Sequence, residues 1–218
     1  VDVTIDELVI ADAPEAWVAA GFTVDDDAVC RVGSVRLRLV GSERGKGIVG
    51  WSLRGVPVAL TDVDGVATEA SGAPLAEPAI HANGVTHIDH VVLLSLDLSR
   101  TLAALSGIGL EPRRTRDGEL GGAPVRQAFF RLGDVILEVV GSPDTASDGP
   151  SSLWGLTHTV DDIDATVAYL GERTGPVKDA VQPGRRITTV RNREIGISVR
   201  TALISPHVRS GPQEPVSR

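Results

Sequence analysis

Two twelve-residue stretches of this chain are near copies of one another. "RVGSVRLRLVGS" (31–42) and "RLGDVILEVVGS" (131–142) share Arg, Gly, Val, Leu, Val, Gly and Ser at matching places, one hundred residues apart. An internal repeat limits the fold to architectures assembled from copies of one unit. Each stretch reads as an arriving strand, a tight turn at Gly33 or Gly133, and a second apolar strand.

A second echo lies upstream. "TIDELVIADAPEAWVAAGF" (4–22), "HIDHVVLLSLDLSRTLAALSGIGL" (87–110) and "LWGLTHTVDDIDATVAYLGERTGPV" (153–177) each begin as a short apolar strand ending at an aspartate, Asp12, Asp97 or Asp162. A helix pattern follows, and an aspartate there can cap the free N–H groups of the first turn. Leu98, Leu102 and Leu105, like Ile163, Val167 and Leu170, are spaced to give one apolar helix face. Gly21, Gly107 and Gly171 are the expected helix stops. The unit is strand, helix, then two or three strands, and it occurs three times, over roughly 3–55, 86–142 and 153–206. The expected organisation is a partial module over 1–60, a connecting loop over 61–85, a two-module domain over 86–206 and a flexible tail over 207–218. The turn-rich "SPDTASDGPSS" (142–152) links the last two modules.

Composition narrows the partners. The chain has 218 residues and a formal net charge of -8, which disfavours nucleic acid and anionic membrane surfaces. Its single cysteine, Cys30, rules out an intrachain disulfide and suits a reducing cytoplasm. No run reaches the ~18 apolar residues of a membrane span. The first residues lack the basic region of a signal peptide. The expectation is a soluble cytoplasmic protein.

Several motifs read better as ordinary structure. "GKGIVG" (45–50) has the spacing of a dinucleotide fingerprint, but "WSLRGVPVAL" after it is strand-like, and the fingerprint needs a helix N-terminus at the phosphates. "GWSLR" (50–54) lacks the last glycine of a nucleophile elbow, which leaves Ser52 as a strand residue. "DVDG" (62–65) opens like a calcium loop without the required glutamate and reads as a turn. Cys30 beside Arg31 is either a mildly activated thiolate or a small core residue.

In "THIDHVVLL" (86–94), strand alternation sends His87 and His90 to opposite faces. Arg113, Arg114, Arg126, Arg131, Arg185 and Arg186 are candidates to line a binding surface, where inward arginines would suit a carboxylated or phosphorylated ligand.

A βαβββ unit in tandem, opening with "IDHVV" and closing with "ILEVV", resembles the vicinal oxygen chelate superfamily. That superfamily includes glyoxalase I, extradiol dioxygenases, methylmalonyl-CoA epimerase and bleomycin-resistance proteins. The resemblance implies an α+β fold in which tandem βαβββ modules form a curled mixed sheet, a cup, with helices packed on its outer face. It also implies a divalent metal (Zn, Ni, Mn or Fe) in the cup, held by first-strand and last-strand residues of paired modules. Such a metal acts as a Lewis acid on two neighbouring substrate oxygens. Carried over by position, the resemblance makes His90 and Glu138 the metal-binding and catalytic pair of the middle module. Gly155 and Thr201 fall at the matching places of the last module, and neither is a strong ligand. Glu7 falls opposite His90, which makes it the third candidate metal ligand if the first module pairs with the middle one. Arg38 then falls opposite Glu138. His158 lies on the strand face opposite Gly155 and is expected to contact a helix layer; a register shift or bulge would turn it inward as the alternative third ligand.

Two readings follow. One is a metal-dependent lyase, isomerase or dioxygenase with an incomplete ligand set. The other is a metal-free protein of the bleomycin-resistance type that sequesters a small aromatic or anionic molecule in the cup without any cofactor. An odd number of modules, where each cup needs two, suggests pairing across a homodimer.

Overall fold

A computed structural model describes residues 2–207; residues 208–218 of the expected tail lie outside the described residues. The first sheet is built from β1 (Thr4–Ile10), β2 (Val29–Val32), β3 (Val35–Leu39), β4 (Ile48–Arg54), β5 (Asp62–Val63) and β6 (Val66–Ala70), with α1 (Pro14–Ala19) between β1 and β2. Its spatial order is β2-β3-β1-β4-β6-β5. The second sheet holds β7 (Val85–Leu94), β8 (Arg114–Leu120), β9 (Ala123–Leu132), β10 (Val135–Gly141), β11 (Ser152–Val160), β12 (Lys178–Asp179), β13 (Arg186–Thr189) and β14 (Arg200–Ile204). Helix α2 (Leu98–Gly107) follows β7 and α3 (Ile163–Leu170) follows β11. The order is β12-β13-β14-β11-β7-β10-β9-β8. These are tandem modules on a curled mixed sheet, the α+β cup expected. No helix among the described residues is long and apolar enough to cross a membrane.

The repeated hairpins explain the sheet order. Val32 pairs with Val35 and Leu132 with Val135, so each turn has two residues. Its first residue is Gly33 (φ 60°) or Gly133 (φ 67°), the left-handed conformation that a tight hairpin of this kind requires. The strand leaving each turn lies parallel to the first strand of its module, β3 on β1 and β10 on β7. A parallel partner needs a crossover, and the helix supplies it. Asp97 caps α2 by accepting from Arg100 N at 3.0 Å. Asp162 caps α3 through Asp164 N and Ala165 N. Asp12 differs from that expectation. Pro14 begins α1 after Ala13, and Asp12 instead accepts from the Trp17 indole and from Ser198 N of the second sheet.

Antiparallel pairing of β7 with β11 joins the two later modules. The first sheet repeats this plan: β1 pairs antiparallel with β4, and β4 lies parallel to β6. Strands β4–β6 are therefore a fourth, helix-free copy, and its last two strands fall in the stretch expected as a loop. The homodimer expectation rested on an unpaired module, and here that module finds its partner within the chain.

Buried side chains of both sheets form one apolar cluster. Polar joints lock the sheets together. Asp64, in the β5–β6 turn, is almost fully buried and bonds Arg100, Thr101 and Ser151 of the second sheet. Burial alone would raise its pKa, but these donors outweigh burial and hold it below the usual carboxylate value. Asp64→Ala is expected to cost about 2–3 kcal/mol in urea unfolding, because buried hydroxyls lose a charged acceptor. A change below about 0.5 kcal/mol would show that the joint is not structural.

Candidate functional site

Strand register along β7 decides what the cup contains, with an irregularity at Asp89 that breaks strict alternation. Ile88, Val91 and Leu93 pack into the core, while His90 and Val92 face a cavity of about 320 Å³. Across the β7–β11 pairing, His90 lies opposite Thr157 and Val92 opposite Gly155. Thr157 and Gly155 in turn neighbour Ala202 and Arg200 of β14. A side chain at position 155 would sit 2.7 Å from the Arg200 carbonyl oxygen, so glycine keeps β14 close. The Arg200 guanidinium lies 5.0 Å from the centre of the Trp154 ring at the lip of the cavity.

His90 is held at both ring nitrogens. Nδ1 lies 2.9 Å from Asp89 Oδ2, and Nε2 lies 3.0 Å from Thr157 Oγ1. An ionised carboxylate only accepts, so the imidazole donates from Nδ1 and its Nε2 accepts from the Thr157 hydroxyl at the cup wall. Asp89 can hold this role because it stays ionised. Its burial works to raise the pKa, but hydrogen bonds from His90 and Arg185, with the Arg185 charge, bring it down to about 2.

Glu138 enters from β10, two residues along from the one beside His90. Its Oε2 is 3.8 Å from His90 Nε2, too long for a hydrogen bond, so this carboxylate oxygen keeps acceptor capacity beside the imidazole. Glu138 Oε1 accepts from Gln127 of β9, which fixes the carboxylate.

The other sequence candidates lie elsewhere. Glu7 sits in the first sheet, ion-paired to Arg38 at 2.8 Å. Among the described residues no group of three or more His, Cys, Asp or Glu side chains converges, so Glu7 does not join His90 and Glu138. The physical reason is strand pairing: β1 is flanked by β3 and β4, not by a strand of the second sheet. The repeat relation itself is visible, since Glu7–Arg38 occupies in one sheet the place of His90–Glu138 in the other.

Thr201 is buried, with its hydroxyl bonded to Val199 O at 3.0 Å, while Ala202 is the residue beside Thr157. His158 is fully buried against Trp17 and Phe22, on the face away from the cup. His87 lines a separate cavity between the sheets with Asp134 and His207. Cys30 is buried, and burial with the Asp25 charge pushes its thiol up to about 12, which makes it a core residue. Of the candidate arginines, Arg126 pairs with Asp117, Arg131 with Asp134 and Arg186 with Asp164. Arg185 is buried, bonded to Asp89, Thr159 and the Ser205 carbonyl.

Thr157, Gln127, Asp89 and Arg200 were not singled out from sequence. Asp89 had a readable signal, the shared "ID" of "TIDE" and "HIDH". Asp6, its counterpart, is likewise buried and bonded to arginines, Arg36 and Arg54. Arg200 had none, because its place depends on the irregular register of β11.

Residues 87–192 match the family model described as "Glyoxalase/Bleomycin resistance protein/Dioxygenase superfamily". Among solved structures, a triple mutant of 4-hydroxymandelate synthase from Streptomyces coelicolor is similar, at 16% identity and a TM-score of 0.65, covering 96% of this chain and 94% of that one. A xylose isomerase-like TIM barrel/4-hydroxyphenylpyruvate dioxygenase fusion protein is similar at 13% identity and TM-score 0.57, over 97% of this chain and 50% of that one. Methylmalonyl-CoA epimerase from Mycobacterium tuberculosis has 18% identity and a TM-score of 0.46, over 60% of this chain and 94% of that one. Comparison with curated proteins finds no match. The first two likenesses run through both sheets and show the fold.

Proposed function

Residues 87–192 form a domain of the Glyoxalase/Bleomycin resistance protein/Dioxygenase superfamily, and on that premise we propose that the chain binds a small organic molecule in the cup of its second sheet. The observation that carries this reading is His90 on the wall of the cavity, with Glu138 Oε2 3.8 Å from its Nε2. A ligand donor that displaces the Thr157 hydroxyl reaches His90 Nε2, and Glu138 Oε2 offers a second acceptor beside it. Arg200 at the lip favours a ligand with a negative charge. The same reading puts the protein in the cytoplasm, on the strength of a lone, core-buried thiol.

A superfamily metal would have one imidazole and one carboxylate here, with Thr157, Gly155 and Ala202 in the remaining places. That donor set does not fit the three or four strong ligands of the family, and no chemical step is derived through a metal. One feature supports a metal-dependent second reading. The Asp89–His90 hydrogen bond is the outer-shell arrangement that orients metal-bound imidazoles.

The test uses mandelate, benzoate and catechol as probes, followed by two-dimensional amide NMR. At least one is expected to move the Trp154 indole and Thr157 amide signals, and His90→Ala is expected to weaken that compound about tenfold, or ~1.4 kcal/mol. If no probe perturbs the cup, or His90→Ala binds equally well, the reading fails. Metal analysis after exposure to zinc, nickel, manganese or iron decides the second reading. Less than about a tenth of an equivalent, against the tight retention expected of a built site, removes it.

A further inference from the structure

The cup does not end at Arg200. Val190, Asn192 and Arg200 line both the cup and a larger cleft of about 690 Å³ outside it. That cleft gathers Lys46, Arg191, Arg193 and Arg200 against a single carboxylate, Glu194. The ion pair within it, among the described residues, joins Arg191 to Glu194 at 3.8 Å, with both side chains about half exposed. A pair so long and so wet neutralises little. In a chain of net charge -8, such a concentration of cations calls for an explanation.

The cleft is also held in shape. Asn192 bonds Thr201 N and Oγ1 and the Val199 carbonyl, which closes the 192–201 loop on β14. Ser198 bridges the two sheets: its hydroxyl accepts from Gly47 N at 2.6 Å, and its own N–H donates to Asp12. Lys46, next to Gly47, is thereby delivered from the first sheet to the rim of a site in the second. Asp12 does not cap α1, and this anchoring is what it does instead.

We infer that the cleft of Lys46, Arg191, Arg193 and Arg200 is a subsite for the phosphate-bearing end of a ligand whose other end lies in the cup. The inference rests on the cup-binding reading for the ligand's second end, though the anion site can be tested alone. Multiple cations converging on one opening suit a multiply charged oxyanion better than a single carboxylate. Arg200, shared by both cavities, is the joint between the two ends. The first sheet, in which the Glu7–Arg38 ion pair takes the equivalent place, serves as the donor of Lys46.

Inorganic pyrophosphate is the probe, titrated into the full chain by calorimetry at low and high salt. Saturable binding is expected, weakening with salt and by about tenfold or more in Lys46→Gln/Arg193→Gln. Both residues are exposed, so the variant should keep its fold, which circular dichroism checks. Arg116→Gln, an exposed charge on β8, is expected to bind as wild type. Amide shifts should fall on 191–198. No saturable binding, an affinity unchanged in the double variant, or a response to citrate with none to pyrophosphate would overturn the inference. Pyrophosphate binding should survive His90→Ala. Loss of the cup ligands with pyrophosphate binding intact would count against the cup reading alone.

Discussion

Replacing Arg185 by methionine is expected to cost the fold about 3–5 kcal/mol, the penalty for stranding a buried charge. Its side chain is 1% exposed. The guanidinium donates to Asp89 Oδ1 at 2.7 Å, to the Ser205 carbonyl at 2.7 Å and to Thr159 Oγ1 at 3.3 Å, and lies 3.2 Å from His207 Nε2. Methionine fills much of the same volume and supplies none of these bonds. Asp89 would keep only His90 and a long contact from Thr159. Urea unfolding of the single variant measures the loss. In Arg185→Met/Asp89→Asn both charges go, and a large part of the stability should return, because an ion pair replaced as a pair leaves nothing stranded. A single variant within about 1 kcal/mol of wild type would mean that water or another cation already satisfies Asp89. The site should respond too. Without an ionised Asp89 the His90 tautomer is no longer fixed, so nitrogen chemical shifts in Asp89→Asn should show a mixture where the parent shows Nδ1–H.

The second large effect is expected at His158. Its side chain is fully buried, both ring nitrogens lack partners, and it packs against Trp17 and Phe22 at ring-centre distances of 6.4 and 5.5 Å. Burial, with lesser repulsion from His81, His87 and His90, drops its pKa from 6.5 to about 3. The folded protein therefore keeps this imidazole neutral, while the unfolded chain protonates it below 6.5. Stability from this source is intact above pH 6.5 and is lost as pH falls from there toward 3, at about 1.4 kcal/mol per pH unit. The depressed Asp89 carboxylate acts lower, losing its contribution from its ordinary 3.8 down through about 2. The interval between pH 6.5 and about 5 thus isolates the histidines. His158→Leu is expected to flatten the stability profile there and to add about 1–3 kcal/mol at neutral pH, since it removes an unsatisfied polar group from an apolar cage. An unchanged slope, or a less stable leucine variant, would sink this account.

Sequence alone determined the repeat and what the repeat implies locally. Alternation and turn chemistry act over a few residues, so the hairpins at Gly33 and Gly133 and the capped helices after Asp97 and Asp162 were legible. The irregular register at Asp89, which pairs His90 with Thr157 and His87 with Thr159 and so overrides the alternation expected of the two histidines, was not. The pairing of His90 with Glu138 came from the family resemblance, and the parallel β7–β10 register accounts for it by placing both on one face. Tertiary structure alone decided the rest. Strands β4–β6 carry no helix and so no 3.6-residue signal, and their identity as a fourth copy appears only once β4 lies against β1. Pairing of β1 with β3 holds Glu7 at Arg38, and β4 on the other edge of β1 keeps it from the second sheet. Arg185 meets Asp89, His158 meets α1, and Lys46 meets Arg193 across long stretches of chain. Such meetings depend on how sheets stack and loops close, and local periodicity carries no record of either.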